Sequence, residues 1–271
     1  MSLLASPERL GIGALEPVGL EELVARAARL ACVDRKYVVP RGLLPALVAG
    51  LPTDARVLEI EGRRDFGYRS VYLDTPGLTS YHLAGRRRRR RFKVRTRAYL
   101  DMGREEAGGC WLEVTTRRGW QLTVKQRIEH PDAEFVALSA AALDFVGRVL
   151  AEARVGGVDV RSLPPVLATA YRRTTLLLPG TGRAAGDTRV TLDTDLGWTG
   201  LGAVRGDLDR PALAVVETKG GSTPSRVDHL LWRLGHRPVA MSKYGAGLAA
   251  LDPRLPDLKW HRTLRRELAV R

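Results

Sequence analysis

The sequence predicts an α+β chain organised around antiparallel strands that each carry one charged and one apolar face, and three observations lead there. Arg86 to Arg91 is an unbroken arginine run that leads into Phe92-Lys93-Val94-Arg95-Thr96-Arg97. Side chains alternate along a strand, so Lys93, Arg95 and Arg97 share one side, and Phe92, Val94 and Thr96 share the other. The same alternation returns at Ser70, Tyr72 and Asp74, at Glu113, Thr115 and Arg117, at Thr123, Lys125 and Arg127, at Arg189, Thr191, Asp193 and Asp195, and at Glu217 and Lys219. Helical periodicity is confined to a few segments, above all Ser139 to Arg154. Strands of this kind can close into a barrel with a wet lumen or pack as a sandwich with the charge outside, and alternation is compatible with both.

The totals narrow the partner. The chain has 271 residues and a formal net charge of +14, so a polyanion would relieve its self-repulsion. Aromatic residues make up only 6% of it, with no interleaved aromatic and basic motif for stacking bases, so no specific nucleic acid is expected. Cys32 and Cys110 have neither metal-ligand spacing nor the density of a disulfide scaffold, and read as reduced thiols. With no secretory leader and no apolar window long enough to span a bilayer, the expectation is a soluble, cytoplasmic protein without a membrane segment of its own.

In chain order, residues 1–16 are rich in Gly, Ala, Ser and Pro and predict a mobile arm. Leu20, Leu23, Val24, Ala27, Leu30 and Ala31 then fall at helical spacing. Val33 to Val39 reads as a strand that Pro40 ends, with a short helix near Leu43 to Leu51. Arg56 to Glu61 and Arg69 to Asp74 are strands, followed by the turn Asp74-Thr75-Pro76-Gly77. Phe92 to Leu100, Cys110 to Thr116 and Gln121 to Glu129 predict a meander, with Asp101 to Gly109 as its first loop. Ser139 is placed to cap the helix whose apolar stripe is Ala142, Leu143, Val146, Val149 and Leu150, and Gly156-Gly157 ends it.

Leu167 to Leu178 and Arg189 to Trp198 predict a hairpin across Pro179 to Asp187, a loop without the Gly-Lys-Ser/Thr ending of a phosphate-binding P-loop. Ala212 to Lys219 is a strand, and Pro224 is placed in the first turn of a helix running to Leu234, with Gly235 beyond its end. Gly245 to Ala250 superficially matches a dinucleotide fingerprint but follows no parallel strand, so it reads as a helix start. Leu258 to Leu268 predicts a basic terminal helix. The divisions expected are residues 1–31 as arm and helix, 32–250 as the main domain, and 251–271 as a helix packed on or beside it.

Nothing in the sequence resembles a nucleophilic triad, and the five histidines stand singly. Phosphoryl transfer suits this composition better, because it asks for cations around the transferring oxygens and one or two carboxylates for a divalent cation. Glu113 and Glu217 are the carboxylates set most clearly among cations. They read equally as salt-bridged strand residues.

Nine motifs in order sharpen the reading: Arg35-Lys36-Tyr37, Ser70-Val71-Tyr72-Leu73-Asp74-Thr75-Pro76, Lys93-Val94-Arg95-Thr96-Arg97, Leu112-Glu113-Val114, Val124-Lys125, Tyr171-Arg172-Arg173-Thr174, Arg189-Val190-Thr191-Leu192-Asp193, Val216-Glu217-Thr218-Lys219 and Ser242-Lys243-Tyr244. From about Asp34 to Gly247 their order resembles the VTC domain. That domain is the catalytic part of the vacuolar transporter chaperone polyphosphate polymerase, a branch of the triphosphate tunnel metalloenzymes.

The resemblance implies a closed antiparallel eight-stranded β-barrel flanked by helices, a tunnel in which the ATP γ-phosphoryl group passes to inorganic polyphosphate. Carried over by position, Lys36, Arg95, Arg97, Lys125, Arg173, Arg189 and Lys243 would bind phosphates, with Tyr171, Ser242 and Lys219 beside the substrate. Glu217, with Glu113, would hold Mn²⁺ or Mg²⁺. Three places depart from the pattern. The glutamate-rich opening motif is reduced to Cys32, Asp34 and Lys36, Thr115 stands where a lysine is usual, and Ala240 occupies another usually basic position, with Arg117, Arg118 or Lys219 as substitutes. The alternatives implied are a tunnel triphosphatase acting on short triphosphates or nucleotides and a noncatalytic polyphosphate-binding module. Coupling to a membrane would need a partner protein.

Overall fold

The structure, a computed structural model, describes residues 10–27, 33–101, 109–118, 122–131, 138–180 and 186–270. In chain order the elements are β1 (Glu16–Val18), α1 (Leu20–Ala27), β2 (Val33–Pro40), α2 (Leu44–Ala49), β3 (Arg56–Leu58), β4 (Phe66–Leu73), α3 (Thr79–Gly85), β5 (Phe92–Tyr99), β6 (Cys110–Arg118), β7 (Leu122–His130), α4 (Ala140–Glu152), β8 (Pro165–Leu178), β9 (Thr188–Gly200), β10 (Asp207–Arg210), β11 (Leu213–Gly220), α5 (Arg226–Arg233) and α6 (Lys243–Leu251). The fold is mixed α and β around one large sheet, whose main order is β2-β11-β9-β8-β4-β5-β6-β7.

The expected closure into a barrel is corrected here. The main order holds eight strands, but among the described residues it ends at β2 and β7, which do not pair. The outer side of β2 is met instead by the Val239 N–H, which donates to the Lys36 carbonyl at 2.8 Å. β7 turns the exposed Thr123, Lys125, Arg127 and Glu129 to its surface, the charged surroundings that discourage further pairing at a sheet edge.

The chain divides into two compact units. The first comprises Met1–Phe66, Tyr171–Leu196 and Arg210–Val239. Its core joins Tyr37, Val39, Val190, Leu192 and Val216 from the strands to Leu44 and Leu47 of α2 and Val227 and Leu231 of α5. Each such side chain contributes roughly 1.5–3 kcal/mol on burial, which forces the opposite face of β2, β9 and β11 to carry their charges. The expected mobile arm is also corrected: Leu10 and Ile12 are buried in this core and Glu16–Val18 pairs in parallel with β3, while residues 1–9 lie outside the described residues. Leu30, Ala31 and Cys32 likewise lie outside them.

Helix α5 starts at Arg226, two residues beyond Pro224. Ser225 caps it in a reciprocal box with Asp228, so Pro224 precedes the cap. Asp228 is buried and also accepts hydrogen bonds from the Tyr37 hydroxyl and Thr218 Oγ1, each at 2.7 Å, which ties the helix to β2 and β11.

The second unit comprises Gly67–Ala170, Gly197–Asp209 and Ala240–Arg271. The β5–β6–β7 meander forms as expected, with Arg95 opposite Glu113 and Glu113 opposite Arg127. Its first loop (residues 102–108), its second (119–121, including Gln121) and the hairpin-loop residues 181–185 lie outside the described residues. Ser139 caps α4, and Ala142, Val146, Val149 and Leu150 pack against Phe92, Val94, Leu112 and Val114. That burial leaves Arg95, Glu113 and Lys125 on the other face.

Helix α3 and strand β10 had no sequence expectation. Asp74, in phase with Ser70 and Tyr72, has a structural duty here. Its carboxylate accepts from the backbone N–H groups of Thr75, Ser80 and Tyr81, organising the start of α3, and from the Tyr244 hydroxyl. Alternation in β9 breaks at Asp195, whose φ is 51° and whose carboxylate meets Arg41. The two glycines of the fingerprint-like run serve packing: a Cβ on Gly245 would lie 2.0 Å from the Trp260 ring, and one on Gly247 would lie 2.2 Å from Trp198. The terminal segment is helical but irregular, a 3-10 turn at Leu258–Trp260 and a π turn at Thr263–Glu267.

Candidate functional site

Antiparallel register assembles a charged face in the first unit. Glu217 of β11 lies opposite Lys36 of β2 on one side and Thr191 of β9 on the other, and Lys219 lies opposite Asp34 and Arg189. Directly paired residues share a face, so one patch collects Lys36, Arg189, Thr191, Asp193, Glu217 and Lys219. Lys36 Nζ pairs with Glu217 Oε2, and Lys219 Nζ lies 3.0 Å from Glu217 Oε1 and 3.5 Å from Asp34. Burial opposes ionisation of Glu217, yet Lys36, then Lys219 and Arg173, hold its carboxyl well below the usual carboxylate range.

Arg173 makes a two-pronged contact with the fully buried Asp193, Nε to Oδ1 at 2.6 Å and Nη2 to Oδ2 at 2.8 Å. Its guanidinium lies 5.2 Å from the centre of the Tyr171 ring. Two donors are left over on this face. Arg189 Nε and Thr191 Oγ1 are buried and have no hydrogen-bond partner among the described residues. A buried donor without an acceptor costs about 1–3 kcal/mol, so an acceptor placed on this charged face would be stabilising.

The second unit carries its own set. Arg95 binds Glu113 Oε2 through Nε at 2.7 Å and Nη2 at 2.6 Å, and Lys125 Nζ holds Oε1 at 2.9 Å. Glu113 is fully buried; burial opposes its ionisation, but Arg95, Arg97 and Lys125 hold the carboxyl far below its ordinary 4.5. Arg97 Nε donates to Ser70 Oγ at 3.1 Å, and its guanidinium lies 5.3 Å from the Tyr68 ring centre.

Tyr72 joins this set. Its hydroxyl is 3.4 Å from Arg95 Nη1, and its ring stacks on Tyr244 at 5.0 Å. Burial disfavours the phenolate, but Arg95, Lys93 and Arg97 outweigh it and bring the phenol down to about 7. The tyrosinate absorbance band is therefore expected to grow as pH rises through 7, to vanish in Tyr72→Phe, and to move to higher pH when an anion neutralises Arg95. A spectrophotometric titration showing no ionisation below the ordinary 10.0 would contradict this placement.

Ser242 caps α6, accepting from the Gly245 N–H at 3.3 Å, and the Lys243 carbonyl accepts from Trp198 Nε1 at 2.8 Å. The Tyr72–Tyr244 stack brings this cap beside the Arg95 set. Sequence-expected residues thus fall into two groups: Lys36, Tyr171, Arg173, Arg189, Glu217 and Lys219 in the first unit, and Arg95, Arg97, Glu113, Lys125, Ser242 and Lys243 in the second. Sequence reasoning missed Asp193 as the anchor of Arg173 and Tyr244 as the tether of α6. The in-phase positions of Asp193 on β9 and the Ser-Lys-Tyr triplet were the available signals.

No group of three or more His, Cys, Asp and Glu side chains converges as a metal cage among the described residues. The first set offers Glu217 and Asp193 and the second offers Glu113, each with both oxygens already held by cations. Such a donor set fits a divalent cation that arrives with phosphate oxygens, which draw the ammonium groups away, and does not fit a cation bound by protein alone.

The profile of the VTC domain matches residues 32–252. Among solved structures, HpAC1 from Hippeastrum, described as an adenylyl cyclase with a dominant triphosphatase activity, is 15% identical, with 84% of this chain and 99% of that chain covered and a TM-score of 0.44. A comparison with curated proteins finds no match. No helix among the described residues is long and apolar enough to cross a membrane.

Proposed function

This chain belongs to the VTC domain family, and from that premise we propose that it is an ATP:polyphosphate phosphotransferase. The observation that carries the reading is the pair of orphaned buried donors, Arg189 Nε and Thr191 Oγ1, on a face already holding Lys36, Lys219 and Arg173. Non-bridging phosphate oxygens supply what those donors lack.

In the reaction, a terminal oxygen of the polyphosphate attacks the γ-phosphorus of ATP, the bond from that phosphorus to the β–γ bridging oxygen breaks, and ADP leaves. No protein nucleophile is needed, so the chain's task is to position and neutralise. In the first unit Lys36, Arg173, Arg189 and Lys219 bind phosphate oxygens, with Tyr171 beside them. In the second, Arg95, Arg97, Lys125 and Lys243 do so, with the Ser242 hydroxyl. Guanidinium groups already fixed by Asp193 and Glu113 lose little freedom when phosphate arrives, which favours charge stabilisation without reorganisation. Glu217 would hold Mn²⁺ or Mg²⁺ together with substrate oxygens, with Glu113 as the carboxylate of the other set. The cation would supply charge neutralisation at the phosphoryl group.

The test is direct. Purified protein with ATP and Mn²⁺ is expected to yield ADP and a long anionic polymer on a gel. Orthophosphate as the sole phosphate product would make the chain a triphosphatase. Tight polyphosphate binding without turnover, across several metals, would make it a binding module. Duplex DNA is expected to displace polyphosphate poorly.

A further inference from the structure

The cationic face of β5 continues beyond Arg95 to a second cluster near the C-terminus, within the same unit. Helix α3 ends at Gly85 against Leu258, where an added Cβ would lie 2.2 Å from Leu258 Cδ1. The Tyr81 hydroxyl donates to the Pro256 carbonyl at 2.7 Å, and its ring lies 5.1 Å from the Trp260 ring. These contacts clamp the chain around Lys259 beside the arginine turn that follows α3.

Like charges are thereby packed together. Burial, then Arg91, Arg87, Lys93 and Arg117, pull the Lys259 ammonium down to about 8, and Arg91 is itself lowered by burial, Arg117 and Arg87. The neighbouring carboxylate of Asp257 is engaged by His261 Nδ1 at 2.9 Å. A cluster held together against its own repulsion gains most from an anion.

Resting on the polyphosphate reading above, we propose that Arg87, Arg91 and Lys259, with Lys93 and Arg117, form a dock for the part of a polyphosphate chain that lies beyond the reacting end. Lys93 is two residues from Arg95 on the same face, one side-chain repeat of about 7 Å, so a linear anion can pass from one set to the other without leaving the sheet. Trp260 is buried, so its ring is not available for stacking a base, which favours a bare phosphate polymer over nucleic acid.

The experiment compares binding of tripolyphosphate, long-chain polyphosphate and single-stranded DNA to the full chain. The triple variant Arg87→Gln, Arg91→Gln, Lys259→Gln is expected to weaken long-chain binding about tenfold and to flatten its salt dependence by about 2 in log–log slope, at roughly 0.7 per lost contact. Tripolyphosphate binding should not change, and Lys259→Arg should bind as wild type does. If the triple variant does not fold, the pair Arg87→Gln, Arg91→Gln in the turn should still lose several-fold for the long chain alone. Unchanged long-chain affinity, an equal loss for tripolyphosphate, or DNA held through these residues as tightly as polyphosphate would each overturn the dock. Patch-dependent long-chain binding by a protein that never turns over ATP would uphold the dock and overturn the phosphotransferase.

Discussion

Arg189→Met is expected to lower phosphoryl transfer by about 10²–10³-fold, the cost of losing one preorganised donor, while leaving the melting temperature unchanged or slightly raised. The reason is that Arg189 Nε is buried without an acceptor among the described residues, so the folded protein loses no hydrogen bond there and sheds a desolvation cost. Arg173→Met, on the neighbouring strand β8 of the same unit, should behave differently. It removes both guanidinium bonds from the fully buried Asp193 carboxylate, and breaking such a pair costs about 3–5 kcal/mol in addition to the loss of rate. Initial rates with ATP and thermal unfolding of the two variants separate the effects. A destabilised Arg189→Met with full activity would remove Arg189 from the phosphate site.

The second large effect is on stability and its pH dependence. Glu113→Ala leaves Arg95 and Lys125 facing each other without the carboxylate between them, and about 3–5 kcal/mol should be lost, or about 10 °C in melting temperature for a chain of this size. Because Arg95, Arg97 and Lys125 depress the folded carboxyl below its ordinary 4.5, its stabilisation is complete above that value and drains away as pH falls below it. Wild-type protein should therefore lose stability through the acid range, and Glu113→Gln, already weakened at neutral pH, should show a shallower acid limb. Parallel limbs in denaturant unfolding at several pH values would mean that Glu113 is not the group responsible.

Much of this site was legible because a strand's period is two. Lys93, Arg95 and Arg97 had to share a face, and the same holds for Glu217 with Lys219. Helix α4 was legible for a similar reason, since a capping serine and a stripe at 3.6-residue spacing are both local. What was not legible has a common cause in distance along the chain. Asp74 shares an alternating face with Ser70 and Tyr72, and nothing local announces that the N–H groups of α3 and the Tyr244 hydroxyl, 170 residues away, come to it. Gly245 and Gly247 read locally as a helix start, which α6 bears out, but the Trp260 and Trp198 indoles that demand glycine there come from elsewhere in the chain.

What the sequence by itself determined is which residues lie side by side on each strand, and with that the cationic character of one face and the greasy character of the other. Only the tertiary structure decided which charges satisfy one another. Arg173 with Asp193, and Arg95 and Lys125 with Glu113, are matched across neighbouring strands, and Arg189 Nε is left without an acceptor among the described residues. The physical reason is that a side chain's direction follows from local backbone geometry, whereas its partner follows from strand register, which long-range pairing and core burial set together.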